Sequence, residues 1–275
     1  MSKIEYKELV DYIVESGKGL VSKAGNIKDV GVKKQFLTEE DIRIERGIKE
    51  IIDRMPGDHT FFSEEENDMF TRADSVWVAD PISGTKRFIE GKPNYAIVAS
   101  HLYKGKSDFA VVYVPTADKL YIASDKGGVL LNNSPVKEKQ ACKKRIIYAP
   151  CYDTSHTYTW TDEQVKNLEK KLSEKFQVFP PQGSFAYNYC LVAEGEFDGV
   201  VSLTKDAFPE FAGCYIANKA GYIATNIKGE KVISHTDRIF VCGDAENHAE
   251  LLAITRSIIC EMQLPDENAE QDTGN

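Results

Sequence analysis

The chain has 275 residues, of which 42% are hydrophobic and 28% charged, a composition typical of a globular protein with one large domain or two smaller lobes. Its formal net charge of -9 at pH 7 argues against a general binder of nucleic acid or of anionic membranes, because such proteins usually present a basic face. Composition therefore favours a small ligand or a cation as the partner.

The chain also shows no sign of membrane insertion or export. No apolar run approaches the roughly 20 residues that cross a bilayer, and the amphipathic, acidic first residues lack a signal-peptide core. We therefore predict a cytoplasmic protein. The six cysteines form no CxxC pair and the five histidines are dispersed, which predicts reduced, mostly buried core thiols and no metal site made of histidine.

Two amphipathic helices are predicted first in chain order. Apolar residues recur at helical spacing over residues 4 to 22 and again over residues 38 to 53. The second helix opens with Thr38, and Asp41 follows three residues later, the pattern of a capped helix start. Asp41 is also a candidate metal-supporting acid, and both interpretations stay open.

Short apolar runs rich in Val, Ile, Tyr and Phe follow from residue 59, with Gly, Pro, Asn or Asp between them. These runs predict a sheet with several antiparallel neighbours. Beyond residues 133–135, strand-like and helix-like segments alternate, which predicts an α/β second lobe with helices packed on a sheet.

Three acid-bearing segments are candidate functional sites. They are the segment from Thr38 to Asp41, the run from Ser63 to Glu66 directly after two phenylalanines, and Asp80 at the end of the VWVA run. Carboxylates at strand ends suit Mg²⁺, which prefers oxygen donors and keeps water that a phosphate can displace. Each acid also has an ordinary structural explanation, as a helix start, a solvated run or an Asp-Pro turn.

A series of motifs in one order resembles a known family. Residues 76–88 read VWVADPISGTKRF, preceded by SEE and followed by VVYVPTADKLYIAS, GSFAYNYCLVAEGEFDGVV and FAGCYIANKAGY. This order resembles the inositol monophosphatase-like family of metal-dependent phosphatases, including its 3'(2'),5'-bisphosphate nucleotidase branch. The resemblance covers roughly residues 5 to 262.

The resemblance implies a layered αβαβα sandwich of the inositol monophosphatase/fructose-bisphosphatase type. An N-terminal α+β lobe over residues 1–140 would carry the metal and phosphate loops, and a C-terminal α/β lobe over residues 141–275 would complete the substrate pocket. Mg²⁺ would polarise a small phosphate ester and activate a water for in-line attack. A homodimer is implied by family analogy as well.

Roles for individual residues follow from the same resemblance. Glu64 matches the glutamate that binds the first metal, Asp80 the metal-bridging aspartate and Ile82 a backbone-carbonyl ligand. The phosphate-binding segment runs through Ser83, Gly84 and Thr85, with the amides of the last two at a helix start. Thr85 also matches a threonine that activates water together with Glu64, and Asp41 an acid that supports the more loosely held metal.

Two positions depart from the family pattern, and both concern the second metal. Ser83 stands where the family has the second aspartate of its loop, and Pro209 stands at a second metal-binding aspartate. Their side chains remove two negative charges that would offset the dehydration of a divalent ion. Glu210 and Asp206 are candidates to compensate, and proline itself suits the first turn of a helix.

The predicted substrate pocket departs as well. Ser202 replaces the glutamate of inositol-selective members, and Lys86 with Arg87 resembles the nucleotidase branch, although two exposed basic residues are equally typical of a solvated loop. These features predict a phosphomonoesterase with a weakened second metal site, acting on a sugar or polyol phosphate or on adenosine bisphosphate. The alternative is an inactive member of the same fold that binds a small phosphate ligand or serves as a regulatory or scaffold protein.

Overall fold

The computed structural model describes residues 6–31, 36–64, 73–136, 144–152, 160–231 and 234–259. Its helices are α1 (Lys7–Val21), α2 (Glu39–Asp53), α3 (Thr85–Ile89), α4 (Asp162–Ser173), α5 (Phe185–Ala193), α6 (Phe208–Lys219) and α7 (Ala245–Ile259). Its strands are β1 (Thr60–Ser63), β2 (Ser75–Ser83), β3 (Ala96–Tyr103), β4 (Lys106–Val114), β5 (Lys119–Ser124), β6 (Gly128–Leu131), β7 (Ser134–Pro135), β8 (Arg145–Ala149), β9 (Gln177–Phe179), β10 (Gly199–Leu203), β11 (Ile223–Asn226) and β12 (Ile239–Gly243).

Two sheets organise the described part of the chain. The first contains β1 to β7 in sequence order, with β1 and β2 parallel and each later neighbour antiparallel. The second has the order β11-β12-β10-β8-β9, in which β8 pairs in parallel with β9 and β10. The antiparallel neighbours predicted for the first half and the mixed α/β texture of the second are both present.

The helices form three layers around these sheets. Helices α1 and α2 pack on one face of the first sheet, α5 and α6 lie between the sheets, and α4 and α7 cover the outer face of the second sheet. Each interface is an apolar cluster, since burying one apolar face per sheet and per helix is what makes such layers stable. The predicted αβαβα sandwich is confirmed.

The local signals explain most element boundaries. Helix α2 begins after Thr38, whose hydroxyl accepts from the backbone of Asp41 while the Asp41 carboxylate accepts from the backbone of Thr38, the reciprocal pattern of a capping box. Pro209 lies in the first turn of α6, as expected for a residue without a free N–H. The five-residue helix α3 is too short to show a helical period in the sequence.

The cysteines of the described residues are free and mostly buried, as predicted. Cys190, Cys214 and Cys242 are buried free thiols, but Cys151 is only half-buried, because it lies in the loop after β8 and not in an element. Cys142 and Cys260 fall outside the described residues, as does the predicted lobe boundary near residue 140. No helix within the described ranges is long and apolar enough to span a membrane.

Candidate active site

The parallel pairing of β1 with β2 places two acids at one sheet end. Ser63 is in register with Ala79, so Glu64, the first residue after β1, lies beside Asp80, which stays within β2 and pairs with Val98 of β3. The backbone N–H of Glu64 donates to the carbonyl of Ala79 at 3.2 Å, which extends the ladder by one more bond. Strands in a sheet lie about 5 Å apart, a separation that one cation can bridge.

Within the described part of the chain, Asp80 is a buried acid whose charge is not balanced by a nearby base. Asp80 is 3% exposed, and its Oδ1 has no hydrogen-bond partner among the residues that the structure describes. Burial raises the pKa of Asp80 well above its ordinary value, and the negative charges of Glu64 and Asp206 raise it further. A cation placed among these three carboxyls would reverse that effect, because it would stabilise their ionised forms.

The loop after Asp80 departs from regular strand geometry. The pairing of β2 with β3 shifts register between Asp80 and Ser83, so Ile82 lies in an irregular stretch where its carbonyl is available to other groups. Gly84 follows with a left-handed φ of 88°, and α3 starts at the next residue. A bulge and a glycine therefore aim this short segment across the end of the sheet.

Thr85 links the loop to the first helix layer. Its hydroxyl lies 2.7 Å from the carbonyl oxygen of Ile82 and 3.3 Å from Oδ1 of Asp41, so its single proton serves mainly the carbonyl. The other oxygen of Asp41 accepts from the backbone and the hydroxyl of Thr38, at 2.8 Å and 2.5 Å. Asp41 therefore caps α2 and also contacts the loop, and its role in supporting a metal stays a prediction.

Ser83 has a defined place in this site although it carries no charge. Its hydroxyl oxygen accepts from Ser184 at 2.8 Å, and a hydrogen bond from Ser83 to the Asp80 carboxylate lowers the pKa of Asp80 in opposition to burial. Because a hydroxyl has one proton, the proton of Ser83 is directed to Asp80. Sequence reasoning missed Ser184, whose Gly-Ser motif was the available signal.

The position of Ser184 depends on a close approach between two loops. The Ser184 N–H donates to the carbonyl oxygen of Asn94 at 2.8 Å. Gly183 has a φ of 158°, and a Cβ at this position would lie 2.1 Å from that same carbonyl oxygen. Only glycine allows the two backbones to come this close.

The two acids predicted to compensate for Pro209 behave differently. Glu210 is fully buried, and its Oε1 accepts from the Ser202 hydroxyl at 2.8 Å. Burial raises the pKa of Glu210 to about 8, with a contribution from the charge of Asp206. Asp206 also acts on Asp80 directly, so Asp206 is the acid of this pair that adds negative charge near the end of β2.

Of the two basic residues after the loop, one faces solvent and the other forms a hydrogen bond within the protein. Lys86 is exposed, with its ammonium 5.3 Å from the centre of the Phe36 ring. Arg87 donates from Nε to the carbonyl of Pro93 at 2.8 Å, so part of its guanidinium supports the loop that leads to Asn94.

The oxygen donors of this site suit a hard cation. Within the described ranges, no group of three or more His, Cys, Asp or Glu side chains is arranged as a metal site. Glu64, Asp80 and the carbonyl of Ile82 supply the oxygen chemistry that Mg²⁺ prefers, and the unpartnered oxygen of Asp80 suits a ligand role. Ser83 and Pro209, where the sequence resemblance implies a second metal position, have a neutral hydroxyl and no side-chain donor, respectively.

Comparison with known proteins decides the family. The sequence model of the inositol monophosphatase family matches residues 7–259. The chain belongs to the inositol monophosphatase family. This family consists of metal-dependent phosphatases, and the resemblance read from the motifs around Asp80 is confirmed.

Relatives of this inositol monophosphatase family member carry more than one kind of name. A fructose-1,6-bisphosphatase/inositol-1-monophosphatase from Thermotoga maritima is 24% identical over 230 residues, which are 83% of this chain and 86% of the relative. A protein from Vibrio cholerae named Nus factor SuhB is 28% identical over 200 residues, which are 70% of this chain and 73% of the relative.

Solved structures show the same fold. An IMPase from Thermotoga maritima superposes with a TM-score of 0.78 at 20% identity, covering 94% of this chain and 98% of that one. An IMPase/NADP phosphatase complexed with Mg²⁺ and phosphate gives a TM-score of 0.74 at 19% identity, covering 90% and 94%. The layered arrangement is therefore that of the family.

Proposed function

We propose that this chain is a Mg²⁺-dependent phosphomonoesterase that acts on a small phosphate ester through one strong metal site and a weakened second one. The observation that carries this proposal is the pairing of Asp80 with Glu64 at one sheet end. Asp80 is buried, has an unpartnered oxygen and carries a raised pKa, and all three properties suit a carboxylate evolved to face a cation.

The roles of the residues follow from their positions. Glu64 and Asp80 would hold the ion together with the carbonyl of Ile82. When bound, Mg²⁺ supplies positive charge that polarises the phosphate and lowers the pKa of a water. The backbone amides of Gly84 and Thr85 would bind phosphate oxygens, since both residues lie where the loop turns into α3.

Proton handling would fall to Thr85 and the two acids around it. The Thr85 hydroxyl contacts the Asp41 carboxylate, so a water bonded to Thr85 could pass its proton towards Asp41 or Glu64. Asp41 is held in place by Thr38 on its other oxygen, which fixes the direction of the oxygen that faces Thr85. This rigidity is useful because proton transfer requires hydrogen-bond distances.

The substrate would be a sugar or polyol phosphate or adenosine bisphosphate. The relative from Thermotoga maritima is named for fructose 1,6-bisphosphate and inositol 1-phosphate, which supports the sugar and polyol class. The Ser202 hydroxyl is committed to Glu210, so this position is not presented to a polyol as a free acid would be. We therefore expect weak discrimination among polyols.

A second candidate function is ligand binding without hydrolysis, in a regulatory or scaffold role. What favours it is the presence of Ser83 and Pro209 at positions where the sequence resemblance implies metal-binding aspartates, together with a relative named Nus factor SuhB. A serine that hydrogen-bonds Asp80 can preserve the loop conformation after the second ion has been lost.

The cytoplasmic location and the homodimer stay predictions.

The deciding experiment is a phosphate-release assay with Mg²⁺ on inositol 1-phosphate, fructose 1,6-bisphosphate and adenosine 3',5'-bisphosphate. The wild type should turn over at least one of them, and Glu64→Gln should abolish that turnover, whereas Glu163→Gln on the exposed face of α4 should leave it unchanged. A double variant, Ser83→Asp with Pro209→Asp, should raise kcat by restoring the second site. A silent wild type with an active double variant would establish the second candidate instead.

A further inference from the structure

A chain of hydrogen bonds joins four polar side chains at the edge of the first sheet. The Ser75 hydroxyl lies 2.6 Å from Nδ1 of His59 and 2.8 Å from Nε2 of His101. Nδ1 of His101 lies 2.6 Å from Oδ1 of Asp108, and Nε2 of His59 lies 3.1 Å from the carbonyl of Pro56. Ser75, His101 and Asp108 thus stand in the order and at the distances of a serine, histidine and aspartate nucleophile system.

The sheet brings these residues together by a local irregularity. His101 is in register with Phe109 and Leu102 with Ser107, so Asp108 is an extra residue in a bulge of β4. Bulges re-aim side chains, and this one turns the Asp108 carboxylate onto the imidazole of the neighbouring strand. The bulge is held from the other side, because the Tyr215 hydroxyl donates to the carbonyl of Asp108 at 2.8 Å.

The acceptors at the two ends of the chain determine the tautomers. The Pro56 carbonyl can only accept, so Nε2 of His59 carries a proton, and an ionised Asp108 likewise requires a proton on Nδ1 of His101. In their neutral forms both imidazoles then present a bare nitrogen to Ser75. The serine hydroxyl has one proton to donate. The four contacts from the Pro56 carbonyl to Asp108 therefore share three protons, one on each imidazole and one on Ser75.

A fourth proton on either imidazole does not change the state of the serine. If it is on His59, Ser75 donates to His101, and if it is on His101, Ser75 donates to His59. Whenever at least one of the two imidazoles is neutral, the Ser75 proton is therefore donated to an unprotonated imidazole nitrogen. That is the condition for a hydroxyl to be activated by a general base.

This group is separate from the candidate active site. Side chains alternate along β2, so Ser75 shares a face with Trp77 and Ala79, which pack towards α1 and α2. Asp80 lies on the opposite face of the strand. The surroundings of Ser75 are aromatic, with the Trp77 ring centre 4.9 Å from that of His101.

We propose that Ser75 is an activated nucleophile that takes up a small, apolar acyl or phosphonyl group from an activated donor, with His101 or His59 as its base and Asp108 as the positioning residue for His101. In the acyl case, Ser75 Oγ bonds to the carbonyl carbon, the ester C–O bond breaks, and the serine proton passes through the imidazole to the leaving alcohol. Ser75 and His59 are half-buried, so a small donor can approach the hydroxyl.

The test uses a fluorophosphonate probe with a short alkyl chain on the full-length protein. The oxygen of Ser75 would bond to phosphorus, fluoride would leave with the P–F electron pair, and the serine proton would move to the imidazole. Intact-mass measurement should show one adduct, and peptide mapping of the wild type should place it on Ser75. Mapping needs no variant, so a misfolded substitution would not obscure the answer.

Variants then test how the hydroxyl is activated. Ser75→Ala should remove the adduct, and Ser107→Ala, which changes another half-buried serine close to the bulge, should retain it. Losing a general base costs about 100-fold or more in rate, so His59→Gln with His101→Gln should slow labelling by about that factor while circular dichroism stays unchanged. An unlabelled wild type, an adduct elsewhere, or a labelling rate indifferent to both imidazoles would each overturn the proposal.

Discussion

We expect Glu210 to make the free energy of unfolding of this protein depend on pH. The isosteric substitution Glu210→Gln should remove that dependence. Its side chain, carried by the first turn of α6, is fully buried, one oxygen accepts from Ser202, and burial raises its pKa from 4.5 to about 8. We expect Glu210→Gln to keep the shape of the side chain while it abolishes titration at this position.

The sign and size follow from the two pKa values. A carboxyl whose folded pKa is raised binds its proton more tightly in the folded state, so its contribution to the free energy of unfolding is present below pH 4.5 and is lost as the pH rises towards 8. Each pH unit within this window costs about 1.4 kcal/mol. The wild type should therefore lose about 3 kcal/mol relative to Glu210→Gln between pH 5 and pH 7.

Urea denaturation followed by intrinsic fluorescence at pH 5, 6 and 7 measures this difference directly. The free energies of unfolding of wild type and Glu210→Gln should diverge steadily with pH, while Glu163→Gln, on an exposed glutamate, should run parallel to the wild type. Titrating groups that do not interact with Glu210 are common to the proteins and cancel in the comparison, while the interaction with Asp206 is part of the measured difference. Curves for Glu210→Gln that stay parallel to the wild type would show that Glu210 is ionised in the folded protein, and the reasoning from burial would fail.

Three further perturbations address the site and its supports. Asp80→Asn should raise the melting temperature without metal, because burial and the charges of neighbouring acids raise the pKa of Asp80 and make its ionised form costly, and it should abolish the stabilisation that Mg²⁺ gives the wild type in a thermal scan. Thr38→Ala removes the reciprocal cap of α2 and one partner of Asp41, so urea titration should show a loss of about 1 to 2 kcal/mol, and an unchanged midpoint would contradict the cap. Gly183→Ala would place a Cβ 2.1 Å from the backbone oxygen of Asn94, so it should force the two loops apart. Calorimetry should then show a lower affinity for phosphate. Unaltered binding would show that this contact does not position the site.

Much of the architecture could be predicted because its signals are local or periodic. The cap at Thr38, the alternating runs of the first sheet and the DPISGT loop each specify their structure within a few residues. The motif order then identified the family, since several motifs at matching spacing are far more specific than one loop.

The contacts that the sequence did not reveal are those made across the fold. Ser184 donates to Ser83 from a position 101 residues away, and the pairing of Ser202 with Glu210 depends on how α6 packs against β10. Histidines that look dispersed along the chain come together for the same reason, because strand pairing and the bulge at Asp108 set their distances. No periodicity encodes such pairs, since register and packing are properties of the whole sheet.

The parallel pairing of β1 with β2 has a consequence for how this protein can be redesigned. Main-chain hydrogen bonds between β1 and β2 set the distance between Glu64 and Asp80. Substitutions of side chains elsewhere therefore change that distance little. Other groups that act on Asp80 come from α6 and the segment before it, where Asp206 contributes negative charge and Pro209 occupies the first turn of the helix. Directed evolution of new specificity should therefore leave the pairing of β1 with β2 untouched and concentrate its libraries on Lys205, Asp206 and Phe208, which are not buried, whereas Ser202 and Glu210 are part of the core.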